Sequence, residues 1–163
     1  MKKIIFSLLI SASALSASAQ KFNNVKFSVG GELGIPTGNF STVYSAAIGG
    51  TAQVDYMITE DAALTANTGI IEFLGKNIKG TNLKYQSAGL IPLLAGVQYY
   101  FIPKVYGSAQ LGATFSTQSS GGTSFTYAPG IGYKISDKID ALLKYTGYSG
   151  NGGAVGIRLG FTF

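Results

Sequence analysis

The sequence predicts an all-β fold: an eight-stranded, antiparallel, up-and-down transmembrane β-barrel. Three observations carry that expectation. Large apolar residues alternate with small or polar ones from Val25 to the last residue, with no helical stripe between them. The alternating runs are about ten residues long, close to what a tilted membrane strand requires. Tight turns and longer loops rich in Gly, Ser, Thr and Asn follow one another between the runs, an asymmetry that belongs to barrels set in a membrane.

The elements follow in chain order. MKKIIFSLLISASALSASAQ places Lys2 and Lys3 before the apolar run from Ile4 to Ile10 and closes on Ala17-Ser18-Ala19. That is the charged, apolar and A-x-A order of a secretory signal peptide. Its apolar core falls short of the ~20 residues of a spanning helix. Cleavage after Ala19 is expected, leaving one domain from Gln20 to Phe163. The first strand sets Val25, Phe27, Val29, Leu33 and Ile35 against Lys26, Ser28, Gly30, Glu32 and Gly34, and PTGNFSTVY follows as a loop. The second sets Ile48, Ala52, Val54, Tyr56 and Ile58 against Gly49, Thr51, Gln53 and Asp55. TED turns the chain into the third, with Leu64, Ala66, Thr68 and Ile70 in one row. The adjacent Ile70 and Ile71 break that alternation, so a β-bulge is expected there.

After the polar loop LGKNIKGTNLK, the fourth strand aligns Ile91, Leu93, Ala95, Val97, Tyr99 and Phe101. IPK turns into the fifth, with Ala109, Leu111, Ala113 and Phe115, and STQSSGG is a loop. The sixth aligns Phe125, Tyr127, Ile131, Tyr133 and Ile135, with Pro129 in the same row. A paired strand interior loses a donor at proline, so this strand is expected to begin after Pro129 or to bulge at it. SDK turns into the seventh, where Ile139, Ala141, Leu143 and Tyr145 oppose Asp140 and Lys144. GYSGNGG leads into the last strand, in which Val155, Ile157, Leu159, Phe161 and Phe163 alternate with Ala154, Gly156, Arg158, Gly160 and Thr162. An even strand count puts both chain ends on the tight-turn side.

Which row meets water decides the class. A soluble, lipocalin-like ligand carrier would turn the bulky row inward, whereas a membrane barrel turns it outward. Three features favour the membrane. An eight-stranded barrel has an interior barely wide enough for side chains, and the second row is built of Gly, Ala, Ser and Thr. The strand charges Lys26, Glu32, Asp55, Lys134, Asp140, Lys144 and Arg158 all share that row, leaving only Glu72 in the bulky one. A Lys or Arg facing lipid at mid-bilayer costs about 2–4 kcal/mol. Charged residues also make up only 12% of the chain, about half the usual share of a soluble domain. Aromatic residues gather in two bands, as at the two membrane interfaces. Tyr56, Tyr99, Phe101, Tyr133, Phe161 and Phe163 lie toward the tight turns; Phe73, Phe115, Phe125, Tyr127 and Tyr145 lie toward the loops.

The signal sequence, the strand IPLLAGVQYYF and the terminal GIRLGFTF make the chain from Gln20 to Phe163 resemble the small bacterial outer-membrane β-barrels of the porin family, the OmpX- or OmpA-like eight-stranded domains. The resemblance implies export by the Sec route and a monomer in the bacterial outer membrane with both termini periplasmic. It also implies that the terminal strand is the recognition signal for the barrel-assembly machinery, carried here by Val155, Ile157, Leu159, Phe161 and Phe163. Outer-membrane lipid and lipopolysaccharide are the expected surroundings. Lys76, Lys79 and Lys84, in a loop on the outer side, are candidate contacts for lipopolysaccharide phosphates.

Composition narrows the chemistry. The chain has no His and no Cys, which closes imidazole and thiolate metal sites and disulfides. Enzymatic barrels that resemble it, the lipid A deacylases, palmitoyl transferases and omptin proteases, use histidine. SSGGTS and GNGG open no helix and lack the P-loop spacing. No catalytic, metal or cofactor site is expected. Loss of Lys2 and Lys3 lowers the formal net charge from +5 to +3 with no Lys/Arg run, so nucleic acid is not an expected partner. The seven luminal charges read as an ion-pair network plugging the barrel, since an unpaired buried charge is expensive. The expected role is structural or surface-interacting and non-enzymatic. The alternatives are a narrow porin-like channel for ions or small solutes and the soluble carrier.

Overall fold

Period-2 alternation becomes a wall that closes on itself. In the computed structural model, residues 24–78, 80, 83–118, 121–150 and 152–163 are described. The strands are β1 (Val25–Gly38), β2 (Tyr44–Met57), β3 (Ala62–Gly75), β4 (Ala88–Ile102), β5 (Val105–Ser116), β6 (Thr123–Lys134), β7 (Ile139–Tyr148) and β8 (Gly152–Thr162), with one helical turn, α1 (Phe40–Val43), between β1 and β2. They form a closed barrel in chain order, each neighbouring pair antiparallel. Closure leaves no edge strand, so no whole row of ladder groups is left open to hydrocarbon, where nothing could bond it. The expected fold class is the observed one. The signal peptide expected over residues 1–19 lies outside the described residues.

The bulky row faces out. Ile157 is 42% exposed and Phe161 42%, whereas Arg158 between them is 1% exposed. The seam β1–β8 shows why the inner row is small. Gly30 stands opposite Gly160, and Gly34 opposite Gly156. A Cβ at Gly30 or Gly160 would collide with the guanidinium of Arg158. The paired glycines therefore give that side chain its place inside a narrow cylinder.

Several local expectations are corrected. No bulge occurs at Ile70-Ile71: Ile70 pairs with Gly50 and Ile71 with Gly49 in unbroken register. Alternation simply continues, so Ile70 points out and Ile71 points in. Phe73, two residues on, therefore belongs to the interior and not to the outer aromatic band, and it is 1% exposed. The register shifts fall instead between Tyr44 and Ala46 and between Tyr100 and Ile102. At Pro129 the strand neither starts late nor bulges. β6 runs through it, pairing it with Ala109, and on the β7 side the ladder resumes from Tyr127–Gly147 to Gly130–Lys144 in one register. The missing donor costs a gap in one ladder while the ring faces outward. Pro92 leaves a similar gap toward β3, where the Thr68 hydroxyl donates to its carbonyl at 2.8 Å.

The strands are also longer than expected, from 10 residues in β7 to 15 in β4. They absorb much of what reads as loop. The connections on one side span residues 58–61, 103–104 and 135–138; those on the other span 39–43, 76–87, 117–122 and 149–151. Only 76–87 is long. It continues β3 and β4 as a narrower hairpin, with the Ile78 amide donating to the Leu83 carbonyl and the Tyr85 amide to the Lys76 carbonyl, both at 2.9 Å.

Candidate functional site

Because side chains on one strand face repeat every second residue, eight inner rows converge on one lumen. All seven candidate luminal charges lie on inner rows, but they are not joined into one network. In the middle of the barrel Lys144 of β7 pairs with Glu32 of β1 at 2.8 Å. The Thr51 hydroxyl donates to the same carboxylate oxygen at 2.9 Å and accepts from Nε of Arg158 at 3.0 Å. Nη2 of Arg158 donates to Ser28 Oγ at 3.0 Å, and its Nη1 stands 4.0 Å from Asp140. Glu32 is Arg158's ladder partner across the seam, yet the two are linked only through Thr51. These contacts tie the last two strands to the first two, across the place where the barrel closes.

A neutral amide layer fills the space opposite. Gln110 donates to Thr65 Oγ1 at 2.9 Å and to Gln53 at 3.3 Å, and Gln53 donates to Asp55 at 2.9 Å. Below it, toward the turns at 58–61, 103–104 and 135–138, the Tyr106 hydroxyl donates to Asp140. Lys134 sits over the Tyr100 ring, 4.2 Å from its centroid. Among the described residues neither Lys26 nor Lys134 has an ion pair.

The opposite mouth is apolar. Ala47, Ile71, Phe73, Tyr148 and Ala154 form a buried cluster with Phe40, Tyr44, Ala88 and Leu90 packed against it. Phe40, carried by α1, stacks on Tyr148 with ring centroids 5.4 Å apart and 18° between planes, and meets Phe73 edge-on at 5.2 Å. A Cβ at Gly152 would strike the Phe40 ring, so glycine at the start of β8 makes room for it. Sequence reasoning missed this closure. Tyr148 falls within GYSGNGG and Phe40 within PTGNFSTVY, both read as loops, although Tyr148 keeps the inward parity of Lys144. Tyr106 carried the same signal, sharing parity with Ser108 and Gln110.

Outside the lumen, Val155, Ile157, Leu159, Phe161 and Phe163 are exposed on the outer face. Lys76 is held by its Nζ against the Ser41 carbonyl, Lys84 is exposed in the hairpin, and Lys79 lies outside the described residues. Among the described residues no three His, Cys, Asp or Glu side chains group as metal ligands.

Closed strands with lipid-facing apolar rows around a polar and aromatic lumen define a transmembrane β-barrel. The chain belongs to the family described as the outer membrane protein beta-barrel domain, whose model matches residues 5–163. It is an integral protein of the bacterial outer membrane. No curated protein matches its sequence. Among solved structures it is similar to Ail, the attachment invasion locus protein of Yersinia pestis, at 16% identity and TM-score 0.59, covering 87% of this chain and 99% of that one. It is also similar to the N-terminal β-barrel domain of Pseudomonas aeruginosa OprF, at 17% identity and TM-score 0.56, covering 87% and 98%. A de novo designed transmembrane β-barrel matches at 16% identity and TM-score 0.57, covering 85% and 95%. At these identities the likeness is one of fold.

Proposed function

We propose that the protein is a closed, non-enzymatic barrel with a structural or surface-interaction role in the envelope, and that it does not conduct ions. The stacked Phe40 and Tyr148 rings, backed by Phe73, carry this reading: an apolar closure excludes hydrated ions at one mouth while Arg158 and Lys144 fill the section below it. Among the described residues the luminal carboxylates are engaged by Gln53, Thr51, Lys144, Tyr106 and Arg158. In this reading residues 1–19 direct Sec export and are removed, and the assembly machinery reads Val155, Ile157, Leu159, Phe161 and Phe163. Both termini and the tight turns lie in the periplasm. The 76–87 hairpin then stands on the cell surface, where Lys76, Lys79 and Lys84 meet lipopolysaccharide phosphates around a monomeric barrel. Planar-bilayer recording of the purified protein tests the central part. A flat current trace is expected, and ohmic single-channel steps would establish the narrow-channel alternative instead.

A further inference from the structure

The tight-turn mouth of the lumen holds a charge arrangement that the closure of the barrel does not explain. In the ladders Lys26 stands opposite Asp55, and Lys134 opposite Asp140. Each aspartate is nevertheless turned to another partner. Asp55 accepts from Gln53 on its own strand, while Asp140 accepts from Tyr106 and faces Arg158. Both lysines are left without a carboxylate, although both line the same small cavity. Lys138 and Asp137 of the adjoining turn also line it and offset each other. The lining charges, three lysines and three aspartates, balance among themselves, and Arg158, facing Asp140 from outside the cavity, adds one positive charge to that sum.

A second observation points into the same cavity. Gln98 lines it and is 3% exposed, and its side-chain amide has no hydrogen-bond partner among the described residues. Its ladder partner is Ser108, whose hydroxyl is buried and also unbonded. Buried amides are satisfied in the great majority of cases. The unbonded Gln98 amide beside two unpaired ammonium groups leaves a set of donors facing one space. That space is about 30 Å³, room for a head group of carboxylate size when a water-sized probe takes about 10–15 Å³.

We propose that Lys26, Lys134 and Gln98 form a binding site for a single monovalent carboxylate at the tight-turn mouth of the barrel. The two ammonium groups supply the charge, and the Gln98 amide supplies a directed N–H donor to the carboxylate plane. Asp55 and Asp140 in the same wall set the selectivity, because they repel a dianion more than a monoanion. The carboxylate arrives either as a free small acid or as the C-terminus of a peptide.

The test uses the full-length protein refolded in lipid nanodiscs, with the side-chain amide of Gln98 followed by NMR. Sodium acetate is titrated at an ionic strength held constant with sodium sulfate. A saturable shift with acetate is expected, and none with inorganic phosphate. Lys26→Gln and Lys134→Gln should each weaken the apparent Kd about tenfold or more, as loss of one charge-assisted bond implies. Lys84→Gln, in the opposite hairpin, should leave it unchanged. Gln98→Met, followed at the Ser108 amide, removes the donor while keeping both charges, and heat-modifiable gel mobility verifies that each variant is folded. A tripeptide with a free C-terminus, set against its amidated form, separates the two sources. A shift with acetate alone assigns the site to free acids, and one with both acetate and the free peptide extends it to chain ends. A non-saturable acetate response, an equal response to phosphate, or unchanged affinity in both lysine variants would overturn the proposal.

Discussion

The lumen is filled by different physics at its loop-side mouth and in its middle. At the loop side, Phe40, Tyr44, Phe73 and Tyr148 pack their rings edge-on and face-on. In the middle, Arg158, Thr51, Glu32 and Lys144 fill the same bore with charge. The aromatic closure needs volume and tolerates small shifts. The ionic one depends on each partner, because a charge left alone in a dry interior is costly. Fixed position is thus concentrated at the seam between β1 and β8, whereas the mouth depends on fit.

The sharpest way to break the comparison is Arg158→Ala. It removes the cation facing Asp140, which keeps its bond from Tyr106, and leaves Thr51 and Ser28 without their donor, and a loss of about 3 kcal/mol is expected in urea unfolding from detergent. No pore should open, because the aromatic mouth remains. Phe73→Ala at the other end should cost near 3 kcal/mol, the lower part of the range for buried Phe truncation, since neighbouring rings can relax into the space. A double-mutant cycle on Glu32→Gln and Lys144→Gln isolates one ionic contact. A coupling of about 1.5–3 kcal/mol is expected for a bond between charged groups, and a value near zero would make the middle layer no more specific than the mouth. Phe40→Ala, which removes one partly covered ring from a single-turn support, should cost only about 1 kcal/mol beyond lost area. If it exceeded Phe73→Ala, the lid and not the wall would hold the mouth.

Sequence legibility followed the same division. Where one row was apolar and the other polar, period-2 alternation gave the orientation of Arg158, Lys144 and Glu32 correctly, and with it the barrel. Where the lumen turns apolar, both rows look alike and the signal vanishes. Ile70-Ile71 then reads as a defect, although Ile71 is the first residue of the aromatic cluster's floor. Turn-rich composition hid Phe40 and Tyr148, because Gly and Ser around them signal a loop regardless of how far a strand extends. Ion pairing was unreadable for another reason. Register places Glu32 opposite Arg158 and Lys26 opposite Asp55, but side-chain reach within a narrow bore decides which neighbours meet.

Those adjacent isoleucines provide the most direct test of the inside–outside assignment on which everything else rests. Ile70 is 61% exposed and Ile71 8%, so one methyl touches acyl chains and the other does not. In nanodiscs doped with a doxyl-labelled lipid, the Ile70 δ1-methyl resonance should broaden strongly while that of Ile71 stays sharp. Equal broadening, or the reverse, would contradict this account.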